Sequence, residues 1–188
     1  MFFIISFIGW CFEKVARYIV YNSGTDRGFL TMPLCPIYGF SILLIYLLLG
    51  TPYSPRIGVR GKRGGCLGRV AAFAADIFIY FLLATLIATA VELLTGSFFG
   101  GALGISLWNY ESQPYNFGRY ICLGFSILWG ALITAFMLIL WRPLYRAVGK
   151  ADRYLLRALS LVLVFLSLAD LAFNIFYMAK MGTHFNFL

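Results

Sequence analysis

Val70-Ala-Ala-Phe-Ala-Ala-Asp76-Ile-Phe-Ile-Tyr80-Phe-Leu-Leu-Ala-Thr85-Leu-Ile-Ala-Thr89-Ala-Val-Glu92-Leu-Leu94 is the stretch that decides the fold. Its only charges are Asp76 and Glu92; everything else is apolar, small or a lone hydroxyl. About 20 such residues suffice for a helix to cross the hydrocarbon core of a bilayer, and a strand of a soluble sheet is far shorter. On either side of it, residues 2–21, 34–49, 120–141 and 155–178 are apolar in the same way. Pro36 falls in the first turn of the 34–49 segment, where proline is tolerated. Across its 188 residues the chain is 62% hydrophobic and 12% charged. A soluble domain carries roughly a quarter charged residues, so there is too little polar surface here to face water, and too much apolar content for disorder. The expectation is an all-α integral membrane protein, a single transmembrane domain of about five helices over residues 1–188.

Orientation comes from the loops. Residues 51–69 hold Arg56, Arg60, Lys62, Arg63 and Arg69 with no acidic residue, and residues 142–157 hold Arg142, Arg146, Lys150, Arg153 and Arg157 against Asp152 alone. The positive-inside rule puts both in the cytoplasm. Residues 22–33 and 95–118 carry one Arg, one Asp and one Glu between them, and face outward. Five spans then place the N-terminus in the cytoplasm and the C-terminus outside, with the chain multi-pass in the plasma membrane of a bacterium. The first segment lacks a basic leader and a small-residue cleavage site and carries Glu13, Lys14 and Arg17, so it reads as a retained span and not a signal peptide. The net charge of +8 is thus a topology signal in contact with lipid headgroups, and nucleic acid is not an expected partner.

Several chemistries lack their motifs. Cys11, Cys35, Cys66 and Cys122 are scattered through or beside apolar stretches, and His184 is the one histidine, which predicts neither a disulfide framework nor a metal site. The run Gly58-Val-Arg-Gly-Lys-Arg-Gly-Gly65 resembles a phosphate loop only in its glycines. The places that need the first glycine and the hydroxyl are Arg56 and Arg63, so the run reads as a flexible basic linker. No cofactor is expected, and ATP hydrolysis would have to come from another chain.

What chemistry there is lies in the polar residues of the spans, which usually face a partner or a wet cavity. Trp10, Glu13 and Arg17 share one helical face, with Glu13 and Arg17 spaced for an ion pair. Thr85, Thr89, Glu92 and Gly96 form a second stripe, and Asp76 lies near enough to the cytoplasmic end to reach the interface. Arg119, Cys122, Ser126 and Trp129 share a side of the fourth span. There Ser126, Gly130 and Thr134 allow close helix packing and offer a dimer face. The fifth span aligns Ser160, Ser167, Asp170, Asn174 and Tyr177. Two outward segments are dense in chemistry: residues 26–39, whose glycines and prolines suit an irregular capping turn, and residues 108–120, whose aromatics suit an interfacial belt.

These residues, in order, carry a family resemblance. Gly9-Trp10 with Glu13, Arg27-Gly-Phe-Leu30 with Pro33, Cys35-Pro-Ile-Tyr-Gly-Phe40, Glu92 with Thr95-Gly96, and Trp108-Asn-Tyr110 with Pro114, Asn116, Gly118-Arg119, Ile121-Cys-Leu123 and Trp129-Gly130 resemble the bacterial ABC-transporter type IV permease family over residues 5–145. Met32 replaces the family's glycine before the first proline, and Asn109 replaces an acidic residue. The resemblance implies a permease subunit that borrows an ATPase in trans, with no settled substrate; a helix over residues 144–159 could abut that partner.

The preferred reading is a permease component. Glu13, Arg27, Tyr38, Glu92, Trp108, Asn116 and Arg119 would line a polar substrate-binding or translocation vestibule near the outer face. There Arg27 and Arg119 would hold an anionic group, and Glu13 or Glu92 would take up a proton. Two other readings stay open. One is a membrane enzyme acting on a lipid-linked or envelope substrate at the outer leaflet, although no ATPase or hydrolase motif is visible and no catalytic residue is assigned. The other is a structural or regulatory subunit. A homodimer or a hetero-complex fits a bundle this small.

Overall fold

The computed structural model describes residues 1–21, 30–58, 66–102 and 104–181. Six helices dominate it: α1 (Phe2–Tyr21), α2 (Pro36–Leu49), α3 (Cys66–Ser97), α4 (Leu123–Ile139), α5 (Trp141–Lys150) and α6 (Arg153–Met181). Strands β1 (Gly50–Thr51) and β2 (Ser54–Pro55) pair antiparallel after α2. Strands β3 (Asn116–Phe117) and β4 (Ile121–Cys122) pair antiparallel before α4, in the register Asn116 to Cys122 and Phe117 to Ile121. The fold is helical, as the hydropathy pattern predicts.

By length and composition, residues 67–102 and residues 153–178 are helices able to cross a membrane, and α4 with α5 make a third if that pair, bent by 50°, counts as one span. Thus two or three of the five expected spans meet the requirement among the described residues. α1 and α2 fall short for plain reasons. α2 has 14 residues, which at ~1.5 Å each is about 21 Å against a core of about 30 Å. α1 has 20 residues but carries Glu13, Lys14 and Arg17.

The chain divides into two compact units, one formed by residues 1–40 and 147–188, the other by residues 41–146. In the first, α1 meets the segment that leads into α2. The Cys35 amide donates to the Ser6 carbonyl at 3.0 Å, and the rings of Phe2 and Phe40 meet edge-on with centroids 4.8 Å apart. Gly9 and Gly39 make this approach possible, because a Cβ on Gly9 would collide with the Tyr38 ring and one on Gly39 with Ser6 and Phe2. α6 opens on a side-chain cap, the Leu155 amide donating to the Asp152 carboxylate at 2.8 Å. Further along it, Asp170 accepts the Met32 amide at 2.9 Å.

In the second unit α3 packs against α4, and the seam is made by small residues. Ser126, Gly130 and Thr134 are buried, and a Cβ on Gly130 would run into Thr85 of α3. The stripe read from the sequence as a face for a second copy is therefore consumed inside the chain. Where α2 ends, Gly50 takes φ +75°, the left-handed conformation that stops a helix, and its carbonyl receives the Tyr80 hydroxyl at 3.1 Å. Asp76 is wholly buried, and a Cβ on Gly58 would lie 2.6 Å from its carboxylate. It does not reach the aqueous interface, as its position near a helix end suggests; it lies against the loop that follows α2. The last five residues of the α3 rod, Phe98–Ala102, widen into a π-helical turn. A Cβ on Gly96 would lie 2.9 Å from the Tyr120 ring and one on Gly100 would lie 2.6 Å from its hydroxyl.

Candidate functional site

Glu92 sits near the end of the long apolar α3 and is 6% exposed. A carboxyl taken from water into such surroundings needs hydrogen-bond donors. One comes from the loop between α3 and α4, whose Tyr110 hydroxyl donates to Glu92 Oε1 at 2.9 Å. The Trp129 indole of α4 lies within hydrogen-bond reach of both groups. Glu92 Oε2 is buried with no donor of its own among the described residues. Burial, and then the adjacent Glu92 carboxylate, push the Tyr110 hydroxyl above the ordinary tyrosine range, so it stays a proton donor to Glu92 at neutral pH.

The loop that delivers Tyr110 is itself held. Its amide donates to the Arg119 carbonyl at 2.9 Å, its ring stacks on Phe125 with centroids 4.9 Å apart, and the Trp108 indole donates to the Tyr120 carbonyl at 2.8 Å. Asn116 donates to the carbonyls of Glu111 and Gln113, closing the turn at its base. Three residues take positive φ to make this path: Gly104 (+68°), Gly118 (+61°) and, without the freedom of glycine, Tyr115 (+55°). Arg119 pairs with Glu111 at 3.3 Å, both side chains half exposed.

Within the first unit a second group of polar residues forms. Tyr38 donates to Glu13 Oε1 at 3.0 Å, with the Cys35 thiol 4.0 Å from the same oxygen. The Asn174 amide, fully buried, donates to the Asp170 side chain at 3.0 Å and to the Thr31 hydroxyl at 3.1 Å. Together Asp170 and Asn174 fasten residues 31–32 to α6. Replacing Asp170 with alanine removes the acceptor for the Met32 amide and one for Asn174. It is expected to cost about 1–3 kcal/mol, read as a lower melting temperature of the detergent-solubilised protein.

Of the seven residues predicted as a vestibule, Glu13 and Tyr38 meet each other in the first unit. Glu92, Trp108, Asn116 and Arg119 belong to the second, where Glu92 engages Tyr110 and the other three hold the loop. Arg27 lies outside the described residues, as do the side chain of Arg17 and most of the basic Gly-rich linker. Thr85 and Thr89, aligned with Glu92 in the sequence, return their hydroxyls to the carbonyls of Phe81 and Thr85, both at 2.8 Å. Sequence reasoning missed Tyr110 as the partner of Glu92, because 18 residues separate the two and the loop's path depends on backbone angles. Among the described residues no set of three or more His, Cys, Asp or Glu side chains is arranged to hold a metal ion.

A family model described as Putative ABC-transporter type IV matches residues 1–175 of the chain. No curated protein and no solved structure matches it.

Proposed function

The chain belongs to the ABC-transporter type IV family, and from that premise we propose that it is the membrane-embedded permease subunit of a transport assembly whose ATP hydrolysis is performed by a second chain. The observation that carries this reading is Glu92. An ionisable group deep in a span is costly, and it is kept there when a transported ion or polar solute has to meet it. Among the described residues Glu92 is met by a tyrosine and a tryptophan and by no basic residue that would cancel it. This leaves a carboxyl, with one buried oxygen lacking a donor, that can exchange partners with a solute or a proton.

In this reading the chain forms one transmembrane domain in the plasma membrane, with five spans, the N-terminus in the cytoplasm and the C-terminus outside. Glu92, Tyr110 and Trp129 supply the solute-facing group, while Trp108, Asn116 and Arg119 brace its loop. With Arg119 paired to Glu111, an anionic solute finds less free positive charge there than the sequence suggests. Glu13 and Tyr38 form a second acid–phenol hydrogen bond.

The test is capture of the tagged full-length chain from native membranes, followed by assay of the eluate for ATP hydrolysis. A co-eluting ATPase in stoichiometric amount supports the reading. Intact, folded chain that elutes with no ATP-hydrolysing partner, across several mild detergents, contradicts it.

A further inference from the structure

We propose that α5 lies in the plane of the membrane surface and binds the phosphates of anionic phospholipids along one basic edge. At ~100° per residue, Trp141, Leu144, Tyr145 and Val148 fall on one side of this helix, while Arg142, Arg146 and Lys150, spaced four apart, fall on another. The apolar side is anchored. Trp141 is 3% exposed and packs on Tyr46 with ring centroids 4.3 Å apart, and Tyr145 stacks on Trp141. Arg142 lies over the Tyr53 ring, 4.0 Å from its centroid. This aromatic packing holds the 50° turn by which α5 leaves the direction of α4. Aromatic rings packed with basic side chains at the end of a span mark the headgroup level.

Among the described residues Arg146 and Lys150 have no side-chain partner, while Arg142 rests on the Tyr53 ring. Arg142, Arg146 and Lys150 are exposed, and the one nearby acid, Asp152, caps α6 through the Leu155 amide. α6 then opens on Arg153, with Arg157 one turn later, both exposed. Cations at the positive end of a helix dipole are unfavourable unless an external anion lies near them. With Trp141 turned inward, the largest exposed side chains of α5 are Arg142, Tyr145, Arg146 and Lys150. The three basic side chains suit a diffuse sheet of phosphates better than a protein partner, which would require apolar contacts of its own. The sequence expectation of one helix over residues 144–159 also gives way here, since the helix breaks between Lys150 and Arg153.

The experiment titrates delipidated, full-length protein in a neutral detergent with phosphatidylglycerol and, separately, with phosphatidylcholine, counting bound lipids by native mass spectrometry. Wild-type protein is expected to prefer phosphatidylglycerol, and R146Q/K150Q to lose that preference by about 10- to 30-fold, the attraction of two basic residues to an anionic surface. R146K keeps it, since only charge is required. Neither Arg146 nor Lys150 has a described partner, so the fold is expected to survive, and circular dichroism checks this. If R146Q/K150Q is nonetheless unstable, the single variant K150Q is expected to show part of the loss. Equal binding of both lipids by wild type, or an undiminished preference in the variants, overturns the proposal. So does a variant that binds lipid normally but no longer retains a protein partner, which would assign the edge to that partner.

Discussion

Replacing Gly130 with valine is expected to be the most damaging single change in the second unit, costing on the order of 3 kcal/mol or more. The reason is local. At this point α4 crosses α3 with no room for a side chain. A Cβ would lie against the Thr85 hydroxyl, 2.9 Å from Thr85 Cβ and 3.2 Å from the Phe81 ring. Thr85 cannot simply turn away without giving up its bond to the Phe81 carbonyl, so one helix must shift. Overpacking of this kind typically costs about 1–3 kcal/mol, and a valine adds two methyl groups beyond the Cβ that already clashes. Thermal unfolding in detergent measures the loss. The pair T85A/G130A is expected to recover much of what G130A alone loses, since the two changes share one contact. Full additivity of the two substitutions would show that the helices do not meet there.

Tyr110→Phe is the second large effect. It removes the hydroxyl that donates to Glu92 Oε1 and leaves a nearly buried carboxyl with the Trp129 indole as its remaining described neighbour. The expected loss is about 1–2 kcal/mol, set between hydrogen bonds to charged groups in water-soluble proteins and the weaker values found within membranes. A cost of that size lowers the melting temperature by roughly 2–8 °C in a chain of this length. The pH dependence has a definite sign. The folded-state ionisation of Tyr110 is raised above the ordinary tyrosine value of about 10, so the native state holds the proton more tightly than the unfolded state. Its contribution is complete below pH ~10 and is lost as pH rises beyond that. Melting curves of wild type and Y110F should therefore converge as pH rises above about 10.

The helices were legible because hydropathy marks where a chain leaves water, and each apolar segment became a helix at nearly the expected place. A helix over residues 144–159 was expected and covers most of α5, but its start at Trp141 and its break after Lys150 were not legible. Spacing revealed that Ser126, Gly130 and Thr134 form a close-packing face, but spacing names a face and not its partner, and the partner is Thr85 of the same chain. Glu92 was legible as a costly charge in a span. Its donor was not, because Tyr110 arrives on a loop whose course depends on positive φ at Gly104, Tyr115 and Gly118 and on the bonds of Trp108 and Asn116. Asp76 shows the opposite error, since nearness to a helix end suggested solvent where the loop after α2 covers it. Asp170 and Asn174 shared a visible stripe, but their hold on residues 31–32 bridges more than 130 positions of sequence.

The proposed work of Glu92 in transport is distinct from a role in packing alone. The direct measurement is ATP turnover and solute movement by the captured assembly carrying Glu92→Gln, compared with wild type at equal ATPase occupancy. Glutamine keeps the size of the side chain and an oxygen to accept from Tyr110, so the fold and the partner are expected to persist. The variant is expected to assemble and melt close to wild type but no longer to link ATP turnover to movement. A glutamine variant that couples the two as wild type does would show that Glu92 serves the structure alone.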